Sequence, residues 1–534
     1  MRIEELGTNG NSAPAGTRFG GFKREADQIG KGMRRALMLA HAPGGCHKPE
    51  NCETRSRSRS LALALSLTLT LTLTLALTLT LALTLTLTLA LTLTLSEPLI
   101  PSPHSDKTTP MTNPLYDVAI VGAGPAGATC AWYLAKQDIR VLLLDKAKFP
   151  RDKFCGDAVI PRAQRHLKRM GVLDQLIEAG ECLFTTSGGF VSPAGIECLS
   201  DSTENPSGTP MSVKRIIMDE RIVRAAQSAG AELVEQEAID KVAFDEGART
   251  WTAHSGSKSF RARTLVLADG AHSKLARSLG IVKDSPGAIC SRSFIEGGTH
   301  SFETDGICYM ERDLLPGYAA IFRHPNDELN FCTYIIPGGK AVPSDLKALH
   351  QGLLDQNSIV RRHLGSGYKI EPMKGAWLRL GGIPKSYADN LLIIGDAAGH
   401  IDPLTGEGIQ FAMEGAEKAA ETLIEAFRVG QFDEQCLSAY QAKWHKEFGS
   451  KFGLAEKASL LMARYPELVD SMAKVANERD DEFFFAWADI MMGEAPWSAF
   501  LRPKLAIPMA AAAVRELWTQ RFSPSRRRVA ATGA

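Results

Sequence analysis

The chain has 534 residues, 44% of them hydrophobic and 23% charged, which suits a globular protein of one large domain or two ordinary ones. A formal net charge of +1 gives no electrostatic argument for nucleic acid as a partner. The 10 cysteines are scattered without a CxxC pair, so their spacing supplies neither a disulfide framework nor a metal site.

Residues 1–110 read as a different kind of object from the rest. From 61 to 95 leucine occupies every odd position, with Thr, Ala or Ser between, and Arg55 to Ser60 reads RSRSRS. Strict alternation is a strand pattern, yet no ordinary strand is this long, and a continuous leucine face would aggregate. As a membrane helix the stretch is long enough and uncharged, but half its positions are Thr, Ala or Ser. A Leu-Thr dipeptide repeat is also what a short DNA repeat encodes. We expect residues 1–110 to be a translated repeat or upstream extension with no fold of its own. The rival is a targeting or anchoring segment. The acids Glu4, Glu5, Glu25 and Asp27 speak against a transit peptide.

After Met111 the sequence changes character. A short apolar run, Val118 to Val121, ends on Gly122-x-Gly124-Pro125-Ala126-Gly127, and a helical pattern follows to Lys136. A second apolar run, Val141 to Leu144, ends on Asp145, with Lys146 next. Strand, glycine turn, helix, strand and acid in this order bind the ADP half of a dinucleotide. Gly122 makes the turn, Gly124 lets backbone approach the pyrophosphate, and Gly127 lets helix pack on strand. The helix N-terminus offers N–H groups to the phosphates, and Asp145 accepts from the ribose.

Two further strand ends follow. Leu265 to Leu267 runs into Asp269-Gly270, where Ser273 reads as the N-cap of a helix and the Asp-Gly pair as a turn. Leu391 to Ile394 runs into Gly395-Asp396. A glycine-rich loop, His400 to Gly406, then leads to a helix starting near Gly408 and Ile409. Apolar residues at Ile409, Met413, Ala416, Ala420, Leu423 and Phe427 make that helix long and amphipathic. Asp396 stands where it can bind ribityl or pyrophosphate oxygens, and the helix start where it can face an electron-rich ring.

These three signals, in this order, resemble the flavoprotein superfamily of p-hydroxybenzoate hydroxylase-like fold. Within it the chain is most similar to the geranylgeranyl reductase family. The resemblance rests on Pro150-Arg151-Asp152-Lys153-Phe154-Cys155-Gly156, on Asp396-Ala397-Ala398-Gly399 with Asp402 to Ile409 (DPLTGEGI), and on Pro316 to Arg323 (PGYAAIFR). It extends to a tail running from Met491-Met492-Gly493 to Leu501-Arg502-Pro503-Lys504-Leu505. It spans about residues 115–510. The strand at 316–323 departs from the family's PGYxWxFP by carrying Ala320 for the tryptophan and Arg323 for the proline.

The resemblance implies an α/β (α+β) fold. A Rossmann-like FAD-binding domain, within 111–430, is interleaved with an antiparallel substrate sheet from about 175–220 and 285–385. C-terminal helices fill 431–534. It implies FAD contacts at Ala126, Asp145, Cys155, Gly156, Ala158, Arg221, Ala238, Asp396, Gly408 and Ile409, beside Gly122, Gly124, Pro125, Gly127, Lys146, Asp269 and Gly270. Arg221 would bring a cation to the pyrophosphate, and Ala238 would contact adenine. The activity implied is reduction of isolated alkenes in a prenyl lipid, with electrons from NADPH or a small reduced electron carrier. Tyr318 is a candidate proton donor by position, with the flavin itself or a water as the others. The rivals are an FAD monooxygenase and a non-catalytic flavin-binding partner; a halogenase lacks support because no WxWxIP occurs. Loss of the large ring at Ala320 is expected to leave space for the substrate or for another side chain to fill. Trp487, Trp497, Phe500 and Trp518, with Arg502, Lys504 and Arg526 to Arg528, suggest core packing of terminal helices or contact with a membrane surface. The expected location is cytoplasmic or peripheral to a membrane, and an organelle if the extension is a targeting segment.

Overall fold

The computed structural model describes residues 114–201, 208–299, 304–478, 481–495, 498–499 and 502–522. The leucine repeat, Trp497, Phe500 and the Arg526 to Arg528 cluster lie outside them. In chain order, the strands that matter are β1 (Leu115–Val121), β2 (Val141–Leu144), β3 (Ser187–Val191), β4 (Glu232–Val234) and β5 (Lys258–Leu267). They continue with β6 (Ala288–Glu296), β7 (Gly306–Tyr309), β8 (Tyr318–Arg323), β9 (Leu329–Ile335) and β10 (Leu391–Ile393). The helices that matter most are α1 (Pro125–Ala135), α2 (Arg215–Ser228), α3 (Ile409–Val429), α4 (Ser450–Arg464), α5 (Glu467–Asn477), α6 (Asp481–Met491) and α7 (Pro503–Phe522).

The first sheet is built on five parallel strands in the order β10-β5-β1-β2-β4. A parallel sheet needs cover on both faces, and β2 is accordingly VLLL, buried at every position. On one face α1 and α3 pack against Val118, Ile120, Val141 and Leu143. Both helices carry buried small residues, Ala126, Ala128 and Ala131 on one and Ala412, Ala416 and Ala419 on the other, and these belong to one cluster. Small side chains let the two helix backbones approach. The apolar spacing read from Ile409 onward is the buried stripe of α3, which ends at Gly430 in the left-handed region (φ +70°).

The second sheet is mostly antiparallel. It runs β6-β9-β8-β7-β3, with the β7–β3 pair parallel. Alternation along a strand sends its residues to two different cores. Ala319 and Ile321 of β8 join a cluster with the helices at 346–364, whereas Tyr318, Ala320 and Phe322 face Cys332, Tyr334 and Ile401. The α/β class with C-terminal helices is therefore the fold of this chain.

Candidate active site

The glycine turn after β1 is closed by contacts that exclude side chains. Gly122 (φ +103°) donates its N–H to Leu144 O at 2.7 Å, and a Cβ there would sit 2.3 Å from Ala268 O. A Cβ on Gly127 would sit 1.8 Å from Gly122 O. Gly124 is the N-cap of α1 and supplies no side-chain cap, and Pro125 follows at the first turn. The N–H groups of that turn thus keep no side-chain acceptor within the helix cap. Asp145 fixes the turn from the second strand: Oδ2 accepts from Ala123 N and Oδ1 from Ala147 N, both at 2.8 Å. Its backbone also pairs with the segment after β4, through Glu237 N at 2.9 Å, which sets Ala238 just beyond. Ala238 and Lys146 are exposed.

The other two motifs meet this turn. Ala268, before Asp269-Gly270, is the wall against which Gly122 closes. Asp269 accepts from Ser273 Oγ at 2.7 Å, and Ser273 accepts from Ala276 N at 3.3 Å as the N-cap of the short helix it begins. Burial pushes the Asp269 carboxyl up. Gly395 (φ +62°) lies against α1, where a Cβ would come 2.6 Å from the Ala126 Cβ. Asp396 Oδ1 lies 3.7 Å from where a Gly408 Cβ would be. Gly408 is the N-cap of α3 and supplies no cap of its own; Glu407 Oε1 accepts from Gln410 N at 2.9 Å instead. Burial raises Glu407 to about 7. Asp402 holds the loop by accepting from Leu404 N (2.8 Å) and Thr405 N (2.9 Å).

The structure assigns the cation at the turn differently from the sequence expectation. Arg221 is paired with Glu181 (2.7 Å) and reaches Gln175 (3.4 Å). Arg151 instead brings Nη2 to 3.5 Å from the Gly124 Cβ position. Its Nη1 donates to Asp219 at 2.9 Å, and Asp219 also holds Arg215 through bonds of 2.7 and 2.9 Å. Asp219 and Arg215 are buried. Helical phase explains the difference: six positions along a helix rotate a side chain by about 240°, so Arg221 leaves α2 on another side from Arg215. Arg151 was visible in the PRDKFCG segment, but nothing local marked it as the residue at the turn.

The rest of that segment is pinned to the second sheet. Gly156 N donates to the Tyr334 hydroxyl at 3.2 Å, and a Gly156 Cβ would sit 2.7 Å from that oxygen. Asn330 Nδ2 donates to Cys155 O (3.1 Å) and to Asp157 Oδ2 (2.9 Å). Arg292 forks onto Asp152 with bonds of 3.0 and 2.7 Å. Burial pushes the Cys155 thiol up, which argues against a thiolate nucleophile. Ala158 opens a short strand paired with Met211 and Ser212.

Asp157 is buried, and its desolvation raises the carboxyl to about 8. His324 Nε2 lies 3.7 Å away, itself lowered to about 3, first by burial and then by Lys214 and Arg292. Sequence reasoning missed this pair.

An apolar cavity of about 330 Å³ lies between the second sheet and the C-terminal helices. Its lining includes Met310, Tyr318, Leu404, Met472, Trp487 and Met491. Tyr318 stacks on Tyr334 (ring centroids 4.9 Å, planes at 27°) and donates its hydroxyl hydrogen bond to the Thr405 carbonyl. Burial keeps that phenol well above its ordinary value and so neutral. The cavity's inner end therefore meets the loop that leads to α3. Ala320 does not line it. Ala320 is fully buried, with Cys308 and Cys332 opposite it on the neighbouring strands.

Residues 115–296 match the family described as FAD binding domain. The chain is 43% identical over 403 residues to conditioned medium factor receptor 1 of Dictyostelium discoideum, covering 73% of this chain and 79% of that protein. It is 30% identical to the menaquinone reductase of Mycolicibacterium smegmatis (65% of this chain, 84% of that one). It is 28% identical to digeranylgeranylglycerophospholipid reductase 2 of Methanopyrus kandleri (68% and 91%). The chain belongs to the geranylgeranyl reductase family of FAD-dependent oxidoreductases. Its fold is shared with a geranylgeranyl bacteriochlorophyll reductase-like protein of Thermoplasma acidophilum, at a TM-score of 0.61 and 17% identity, over 74% of this chain and 99% of that one.

The residues present fit FAD. Gly122, Gly127 and Gly395 let the turn, α1 and the Gly395-Asp396 strand end close on one another where a Cβ would clash, and two helix N-termini lack side-chain caps from their own N-cap residues. Asp145, Arg151 and Asp396 supply the acid, cation and acid that ribose, pyrophosphate and ribityl oxygens require. The Cys155-Gly156 and Thr405 to Ile409 segments would border the ring.

Proposed function

We propose that the chain reduces isolated carbon–carbon double bonds of a geranylgeranyl-type prenyl lipid, taking electrons from NADPH or a small reduced carrier. The observation that carries this reading is the apolar cavity whose inner end meets the FAD motifs at Leu404 and Tyr318. An isolated alkene has no carbonyl to polarise, so alignment in a dry site is what a protein can contribute. FAD, when bound, supplies the hydride. The chain's own residues do the rest. Methionines from α4, α5, α6 and α7 line the cavity and adapt to a long flexible chain. Tyr318 lines the cavity and is backed by the stacked ring of Tyr334, an apolar end that would exclude water. Tyr318 braces the loop through Thr405, so proton delivery from its hydroxyl requires that bond to open.

Four cations lie near enough to His272 to lower it, although one of them, Arg379, is paired with Asp284 at 2.8 Å; they would favour an anionic electron donor. Around the Asp269-Gly270 turn, burial first and then Arg277, Arg379, Lys153 and Lys274 hold His272 below its ordinary value. The relatives named as reductases support reduction over oxygenation. The test is anaerobic incubation of the FAD-loaded full chain with dithionite and geranylgeranyl lipids. The expected product gains hydrogen at its double bonds. In a parallel aerobic incubation with NADPH, hydroxylated product formed with oxygen uptake would support the monooxygenase instead.

A further inference from the structure

The apolar cavity opens to the surface between α4 and α7. Leu461 lines it and is 50% exposed; Ala510 lines it and is exposed as well. The outer faces of these two helices are apolar where a water-facing helix is usually polar. Leu454 is 39%, Ile507 68% and Val514 64% exposed. On α4, Leu454, Lys457, Leu461 and Arg464 recur at intervals of three and four, which sets them on one side of the helix. Among the described side chains of α4 and α7, the exposed charged ones are all basic: Lys457, Arg464, Lys504 and Arg515, with Arg502 exposed just before α7. Exposed apolar residues gathered at the mouth of an apolar cavity mark an interaction surface. Basic residues interleaved with them complement an anionic lipid headgroup layer.

We propose that the α4–α7 face docks on the surface of an anionic bilayer and that the prenyl chain enters the cavity from that bilayer. The second half rests on the prenyl-lipid reading above. Of the residues named from the cavity lining, none is charged, so the lipid's polar end stays outside with the basic residues while its chain passes Leu461 and Ala510. Among the described residues no helix is long and apolar enough to cross a membrane, which fits docking on a surface rather than insertion through it. Trp487 belongs to the cavity and not to the docking face, since it packs on Phe190 with ring centroids 4.8 Å apart.

The test is flotation of the FAD-loaded full chain with vesicles of phosphatidylcholine alone or mixed with phosphatidylglycerol. The chain should float with the mixed vesicles. The L454D/I507D/V514D variant should lose roughly tenfold in partitioning while its flavin absorbance is retained. The K457E/R502E variant should lose the preference for phosphatidylglycerol, which keeps the test open if the triple variant fails to fold. Because the leucine repeat is intact in both, their loss separates this face from residues 61–95. Equal flotation of wild type and triple variant overturns docking through this face. So does a dimer that the triple variant converts to monomer without any vesicle binding, because a second copy would then cover the face. Prenyl reduction in detergent without vesicle binding overturns the docking alone. Vesicle binding without prenyl reduction overturns the prenyl reading and the entry route and leaves the docking standing.

Discussion

Asp219→Asn tests the assignment of Arg151 to the phosphate turn. Asp219 is fully buried and holds two guanidinium groups, Arg151 at 2.9 Å and Arg215 at 2.7 Å. Asparagine keeps the shape and one acceptor but removes the charge. Breaking a buried pair from one side costs about 3–5 kcal/mol, because a charge is left uncompensated. The Arg151 side chain is 19% exposed and Arg215 only 7%, so most of that cost falls on Arg215. About 3 kcal/mol in a folded chain of roughly 400 residues corresponds to a melting temperature about 3–4 °C lower. Losing the orientation of one charge-assisted contact to phosphate, about 1.5 kcal/mol, should weaken FAD roughly tenfold. Thermal melts and a fluorescence titration with FAD measure the two effects separately. Arg151→Ala should weaken FAD similarly with a smaller loss of stability. Arg221→Ala, at a half-exposed pair with Glu181, should change stability by less than about 1 kcal/mol and leave FAD binding alone. If Arg221→Ala weakens FAD more than Arg151→Ala does, the reasoning is wrong.

The remaining predictions concern the elements around that turn. Gly395→Ala forces a left-handed backbone on alanine and a Cβ 2.6 Å from that of Ala126; it should cost at least about 1–2 kcal/mol and weaken FAD, and an unchanged melt would contradict the packing. Asp157 keeps its proton in the folded chain up to about pH 8, whereas the unfolded carboxyl releases it near pH ~3.9, so the stability it contributes is full below that lower value and is lost as pH rises through the window to about 8. Asp157→Asn should therefore lose less melting temperature between pH 5 and 8 than wild type, with a difference slope no steeper than about 1.4 kcal/mol per pH unit; parallel pH profiles would rule this out. Ala320→Trp overpacks a closed site and should destabilise by about 1–3 kcal/mol, and a stable variant with an altered chain-length preference would restore the idea that this position borders the substrate. Tyr318→Phe removes the bond to the Thr405 carbonyl but keeps the ring stack; reduced turnover with unchanged FAD affinity is expected, and weakened FAD would mean that the loop depends on that hydroxyl.

The parts of this molecule legible in the sequence are those where a backbone condition leaves its mark in place. Gly122, Gly127 and Gly395 are needed because a neighbouring carbonyl or methyl group fills the position of their Cβ; Gly122 and Gly395 each follow an apolar run and Gly127 opens the helix after the first of them. Such conditions are local, so the strand ends, the turns and the long helix after Gly408 can be read one at a time. The substituents that complete the site come from elsewhere. Arg151 reaches the turn only because Asp219, 68 positions on, holds it there, and Arg221 looks equally suitable until the phase of α2 is known. Asp157 acquires its raised carboxyl from a pocket shared with His324 and Asn330, which belong to a different sheet. Ala320 has Cys308 and Cys332 as its neighbours on the flanking strands, a register that no stretch of sequence displays. The cavity is the extreme case. Met310, Met462, Met472, Met491 and Met509 follow no period, and they become one wall only when the C-terminal helices fold against the second sheet. Recognition of the flavin is thus written locally, while the choice of substrate is written in contacts between distant segments; the FAD half of such a site can be read from its motifs, whereas its substrate has to be read from the packing.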